Sequence, residues 1–167
     1  AARPAVATLL ILFAPLWHWS AVLFLPVVLI KRIPRALPLW LAPVAGALMA
    51  GAAIGIAMLP GYSDYIVGSG VARGALVRLA PNFFALGLLF MVWRRLDLSV
   101  PARNALWYWA AVSSMLLPMV FVMPTVADRI GMFAVVGQMA VFARLPDVAP
   151  FAHYPRLALL ALAAPGL

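Results

Sequence analysis

Polar residues in this chain cluster in short segments that separate long apolar runs. A helix crosses a bilayer with about 20 predominantly apolar residues, and each complete run is about that length. The pattern therefore predicts an all-α, polytopic transmembrane helix bundle. The predicted spans are five complete ones, at about 5–30, 38–59, 74–93, 105–123 and 127–143, and a sixth that starts near Leu157 and is cut off.

Composition agrees with a membrane solvent. The chain is 67% hydrophobic and 10% charged, with a mean hydropathy of +1.09, whereas a soluble domain is roughly half apolar and a quarter charged. No cysteine occurs in the 167 residues, which excludes disulfides, thiolate catalysis and thiolate metal sites.

The domain organisation is simple. No repeat, low-complexity tract or linker divides residues 1–167, so we predict a single transmembrane bundle. The chain starts at Ala1 without a methionine and ends within an apolar segment, so we expect it to be a fragment of a longer membrane protein that has further spans.

Charge in the connecting segments predicts the orientation. Most cations follow the first, third and fifth spans: Lys31, Arg32, Arg35, Arg94, Arg95, Arg103, Arg144 and Arg156. By the positive-inside rule these segments are cytoplasmic, and 60–73 and 124–128 face outside. The net charge of +8 is thus mostly a topology signal, and we expect no nucleic-acid partner.

The aromatic residues Trp107, Tyr108 and Trp109 are predicted to lie at the headgroup level.

Small residues in the second span predict a helix-packing face. Ala47, Gly51 and Gly55 are four residues apart, the spacing that lets transmembrane helices approach closely.

Polar residues at membrane depth are the candidate functional groups, because a charge at a helix centre costs about 2.5–3.5 kcal/mol on insertion scales. His18 is near the middle of span one, Arg78 is about one turn inside span three, and Asp128 and Arg129 open span five. Asn82 follows Arg78 by four residues and shares its helix face. These groups predict an outward-facing cationic cavity.

Each of these residues also has a purely structural explanation. His18 could be a buried hydrogen-bonding group between helices, and Arg78 could extend its side chain to the headgroups. Asp128 and Arg129 could form an interfacial pair or a favourable helix N-terminus. Since adjacent helical residues do not face each other, we expect Asp128 to pair across the bundle with Arg78, which leaves Arg129 free.

Three stretches, around His18, Tyr65 and Arg129, together resemble the bacterial EpsG-like, Wzy-type polysaccharide polymerases. "LLILFAPLWHWSAVLFLPVVLIKR" is similar to a span with a His-x-Ser-Ala pattern and a later proline, here His18, Ser20 and Pro26. "YIVGSGVARGALVRLAPNFFALGLLFMVWRRL" resembles the family's outer-loop tyrosine, here Tyr65, followed by a span and a basic loop. "ADRIGMFAVVGQMAVFARLPD" resembles its arginine-isoleucine helix start at Arg129.

The resemblance implies polymerisation of polyprenyl-diphosphate-linked oligosaccharide units at the outer, periplasmic face of the bacterial inner membrane. It implies partners of three kinds: the lipid bilayer, the lipid-linked glycan and other polysaccharide export components. Planar guanidinium groups suit a diphosphate leaving group, and an acceptor hydroxyl needs a base. We expect catalytic roles for Arg129, His18 and Asp128, the last two being the candidate bases. The expected substrate-binding residues are Arg78, Arg73, Tyr65, Asn82 and Ser20.

Metal catalysis and a cofactor are not expected, because the sequence offers no cluster of carboxylates or histidines. The alternatives are a non-enzymatic transporter or flippase subunit for lipid-linked glycans, a structural bundle, and a membrane O-acyltransferase with His18 as its base. A transporter should have broken helices around a midplane site, which Pro15, Pro26 and Pro81 permit.

Overall fold

The computed structural model describes residues 25–30, 32–59 and 74–148. The secondary structure in this part of the chain is helical, which confirms the all-α prediction. The helices are α1 (Leu25–Ile30), α2 (Leu41–Ala57), α3 (Ala75–Val92), α4 (Val100–Val122) and α5 (Pro124–Phe142), with short 3-10 turns at Trp93–Arg95 and Leu145–Asp147.

Three of the described helical segments are long and apolar enough to cross a membrane: Ala75–Arg95, Val100–Val122 and Pro124–Phe142. Helix α2 is also apolar but has only 17 residues. The protein is therefore a helical membrane protein. The first predicted span is described only from Leu25, and the sixth lies outside the described residues, so the total of five or six spans stays a prediction.

Two predicted boundaries at helix starts are wrong, and proline explains both. Helix α4 begins at Val100 rather than near 105, and α5 begins at Pro124, so that 124–128 is helical and not an outer loop. Pro101 and Pro124 lie in the first turns of these helices. Proline is favoured there because the first backbone N–H groups of a helix have no intrahelical acceptor. Only Met123 separates α4 from α5.

Helix α4 lies at the centre of the described bundle and contacts α1, α2, α3 and α5. Helix α2 packs against it through the buried residues Ala42, Gly46 and Ala50. A Cβ added to Gly46 would lie 2.5 Å from the carbonyl oxygen of Ala111, so the two backbones are in direct contact at this crossing.

The predicted packing face of α2 is wrong within the described bundle. Ala47, Gly51 and Gly55 are exposed, and a Cβ at either glycine would meet no atom within 4 Å. Helix α2 packs instead through the adjacent face, which carries Ala42, Gly46 and Ala50. Both faces repeat small residues every four positions, so spacing alone could not distinguish them.

Two residues of the aromatic cluster pack inside the protein, and the predicted position of the cluster at the headgroup level stays a prediction. Tyr108 and Trp109 are buried, and Trp109 Nε1 donates a hydrogen bond to the carbonyl oxygen of Ala134 on α5 at 2.7 Å. Trp107 Nε1 donates to the carbonyl oxygen of Pro38 at 2.9 Å. These side chains therefore connect α4 to its protein neighbours.

Asn104 anchors the segment between α1 and α2 to α4. Its Oδ1 accepts the backbone N–H of Leu37 at 2.9 Å, and its Nδ2 donates to the carbonyl oxygens of Ile30, Ile33 and Arg35 at 3.3, 3.2 and 3.1 Å. Asn104 is fully buried, so the protein itself meets the hydrogen-bonding needs of this amide.

Candidate functional site

The site lies between α3 and α5, which run in the same direction. Arg78, near the start of α3, meets Asp128 near the start of α5, and Phe84, further along α3, meets Phe142 at the end of α5. The N-terminal turns of α3 and α5 are therefore at the same end of the bundle, the end that the loop charges predict to face outside.

An ion pair joins these two N-terminal turns. Arg78 Nε donates to Asp128 Oδ1 at 2.7 Å, and Arg78 Nη2 donates to Asp128 Oδ2 at 2.9 Å. The prediction that Asp128 pairs across the bundle with Arg78 is confirmed. The two parallel hydrogen bonds use the fork geometry that makes arginine–carboxylate pairs specific. Both carboxylate oxygens of Asp128 therefore have a partner.

A cavity of about 510 Å³ extends from this ion pair along the groove between α3 and α5. Its lining residues are Val77, Arg78, Leu79, Pro81, Asn82, Asp128, Gly131, Met132, Val135 and Gln138. From Asp128 to Gln138 is ten residues, or about 15 Å of helix. The groove is therefore about half as long as the hydrocarbon core of a bilayer is thick, roughly 30 Å.

The deep wall of the cavity carries two buried amides. Asn82 and Gln138 are each 1% exposed. Ser113 Oγ donates to Asn82 Oδ1 at 3.3 Å. Asn82 Nδ2 and Gln138 Nε2 have no hydrogen-bond partner among the described residues. Both are N–H donors without a partner in the described part of the chain, on residues that line the cavity.

Sequence reasoning missed Gln138 and Ser113. A signal for Gln138 was available: Asp128, Gly131, Val135 and Gln138 are spaced by three, four and three residues, which places them on one helix face. No comparable signal marks Ser113, because its relation to Asn82 depends on how α4 packs against α3.

The predicted site residues are brought together only in part. Arg78, Asn82 and Asp128 line one cavity. Arg129 is exposed, is absent from the cavity lining, and forms no ion pair within the described residues. His18, Ser20, Tyr65 and Arg73 lie outside the described residues.

The charge of the cavity is balanced in its described part. Its described lining holds one cation, Arg78, and one anion, Asp128, so this part is formally neutral. His18 and Arg73, on which the predicted cationic cavity also depends, lie outside the described residues, and the cationic cavity stays a prediction. Among the described residues, no group of three or more His, Cys, Asp or Glu side chains could hold a metal ion.

These features define a class, a polytopic helical membrane protein with a partly polar cavity between two parallel helices. The EpsG family model matches residues 3–162, and the chain belongs to the EpsG family. This confirms the resemblance seen in the sequence and indicates a role in polysaccharide biosynthesis. Neither the curated proteins nor the solved structures gave a significant match.

Proposed function

We propose that this protein polymerises polyprenyl-diphosphate-linked oligosaccharide units at the outer face of the bacterial inner membrane. Membership of the EpsG family, over residues 3–162, carries this proposal. The polymer-forming reaction is a glycosyl transfer between two lipid-linked substrates, and it is independent of a metal ion.

The surroundings of the cavity suit a lipid-linked substrate. Val77 and Met132, at its edge, are 75% and 73% exposed, whereas the amides of its deep wall are buried. An apolar edge beside a polar interior accommodates a molecule with a polyprenyl chain and a polar head. Such a substrate reaches its enzyme through the bilayer, which is consistent with a catalyst that is mostly transmembrane.

In the proposed reaction, a hydroxyl oxygen of the acceptor sugar attacks the anomeric carbon of the donor. The bond from that carbon to the diphosphate oxygen breaks, and the diphosphate leaves with the bonding electrons. His18 is our proposed acceptor for the hydroxyl proton. We assign Asp128 a positioning role instead, because Arg78 already engages both of its carboxylate oxygens.

The leaving diphosphate needs cations that are not already neutralised. Arg129 is exposed and unpaired within the described residues and stands in the N-terminal part of α5, where the helix dipole favours anions. We propose that Arg129, with Arg73 and Tyr65 of the predicted outer segment 60–73, stabilises the charge that develops on the diphosphate. Ser20 is proposed to help hold the substrate near His18.

Arg129→Lys tests this assignment, because lysine keeps the positive charge but loses the planar fork. Losing a charge-assisted hydrogen bond costs about 1.5–3 kcal/mol, so polymer yield should fall about tenfold or more. Arg94→Lys is the matched control: Arg94 is also exposed but lies in the 3-10 turn that follows α3, at the opposite end of the bundle from Arg129. Wild-type polymer length in the Arg129→Lys strain, at equal protein abundance, would contradict the catalytic role.

His18→Ala tests the proposed base in the same assay. Polymer formation should decrease far more than protein abundance, because a proton acceptor contributes to the reaction and not to folding. Equal decreases in polymer and in abundance would assign His18 a packing role.

The rival functions make different predictions for a deletion strain. Loss of a polymerase leaves cells with exported single-unit glycans, whereas loss of a flippase or transporter leaves no exported glycan. Loss of an O-acyltransferase leaves full-length polymer without acyl groups. Helix α3 continues unbroken through Pro81. This helix therefore lacks the break that would favour a transporter.

A further inference from the structure

The amide nitrogens of Asn82 and Gln138 are difficult to explain as purely structural groups. Water in the hydrocarbon region is scarce, so a polar group at that depth normally finds a partner within the protein. Asn104 shows that this protein can provide one, since both ends of its amide are bonded. Asn82 Nδ2 and Gln138 Nε2 have no such partner among the described residues, and both line the same cavity.

The charge balance indicates which part of a lipid-linked glycan belongs there. A diphosphate is anionic and would meet the carboxylate of Asp128 at one end of the cavity, while Arg78 is already bound to that carboxylate. Apart from this pair, the described lining offers neutral groups. A neutral, oxygen-rich ligand therefore fits the cavity better than an anion does.

Hydroxyl groups also match the hydrogen-bonding pattern of the deep wall. The two amide nitrogens are donors and require acceptors, while Asn82 Oδ1 already accepts from Ser113. A sugar hydroxyl oxygen can accept from an amide N–H and still donate its own proton elsewhere. The volume of about 510 Å³ falls within the range of small-molecule pockets, roughly 300–1,000 Å³.

We propose that the cavity between α3 and α5 is a sugar subsite, in which Asn82 and Gln138 donate hydrogen bonds to glycan hydroxyls while the diphosphate binds outside it. The inference rests on the proposed function, because that function supplies the glycan. It separates the two halves of the substrate: neutral sugar between α3 and α5, and anionic diphosphate near Arg129.

The test uses the full-length protein in lipid nanodiscs and two probes: polyprenyl diphosphate without sugar, and polyprenyl diphosphate that carries the host's repeat unit. Gln138→Met and Asn82→Leu remove the donors with little change in size. Each variant should bind the sugar-bearing probe up to about tenfold more weakly, the range expected for one neutral hydrogen bond. Binding of the bare diphosphate lipid should not change, whereas Arg129→Gln should weaken binding of both probes.

Thermal unfolding separates binding from folding. Gln138→Met should unfold at the same temperature as the wild type or a higher one, because it replaces an unpartnered buried amide with an apolar side chain. Asn104→Leu, the matched control with a fully bonded amide, should unfold at a lower temperature. Asn82→Leu also breaks the hydrogen bond from Ser113, so Gln138→Met decides this arm: if it loses stability as Asn104→Leu does, the Gln138 amide is structural and the inference is overturned.

The remaining outcomes are equally decisive. Equal weakening of both probes would place the amides against the diphosphate, and no weakening of either would remove them from the site. Either result overturns the sugar subsite and leaves the proposed function intact. Equal affinity of the wild type for the two probes would do the same. A wild-type protein that binds neither probe overturns the proposed function, and the subsite with it.

Discussion

The crossing of α2 and α4 at Gly46 permits a sharp test of the fold. Gly46→Ala adds one methyl group, whose carbon would lie 2.5 Å from Ala111 O, 2.7 Å from Ser114 Cβ and 2.8 Å from Met115 N. Unstrained contacts between carbon atoms are about 3.5–4.0 Å. Helices α2 and α4 would therefore have to separate by about 1 Å.

The size of the effect follows from two opposing contributions. Alanine is favoured over glycine in a helix by about 1 kcal/mol. Overpacking costs about 1–3 kcal/mol and occasionally more, and the upper end applies here because two of the three atoms belong to the α4 backbone. We expect Gly46→Ala to lower the free energy of unfolding by about 2 kcal/mol.

Gly51→Ala is the matched control, since it makes the same change on the same helix where no atom lies within 4 Å of the added carbon. It should be neutral or stabilising by up to about 1 kcal/mol. Unfolding of the two full-length variants by increasing SDS in mixed micelles measures both values. If Gly51→Ala is the more destabilised of the two, the packing face is the one containing Gly51 and our reasoning about Gly46 is refuted.

Three further predictions concern the described bundle and its orientation. Asn104→Leu should lower the free energy of unfolding by about 1–3 kcal/mol, because it leaves buried backbone groups unpaired; an unchanged value in the same SDS titration would contradict its anchoring role. Arg78→Asp and Asp128→Arg should each reduce polymer formation in cells, and the double exchange should recover part of it by restoring opposite charges; no recovery would show that their pairing is unimportant. A Ser99→Cys thiol should react with a membrane-impermeant reagent only from the cytoplasmic side, and labelling of intact cells would reverse the predicted topology.

Much of the architecture was predictable from the sequence, because it depends on properties that are local to the chain. Apolar runs of membrane length predicted the helices α2 to α5, since a backbone in hydrocarbon must satisfy its hydrogen bonds internally. The ion pair between Asp128 and Arg78 was also predictable, because a charge at the end of one span needs a partner on another. The family resemblance was carried by short motifs at His18 and Arg129.

Tertiary structure alone decided which of several equivalent faces meet. Gly46 and Gly51 belong to similar small-residue repeats, and the choice between them depends on the rotation of α2 against α4. Likewise, Asp128 enters the cavity whereas its neighbour Arg129 does not, because successive helical residues point about 100° apart. Gln138 and Ser113 acquire their relation to Asn82 only when three helices pack together. Periodicity determines that a helix has faces, but contacts between distant residues determine which face becomes the site.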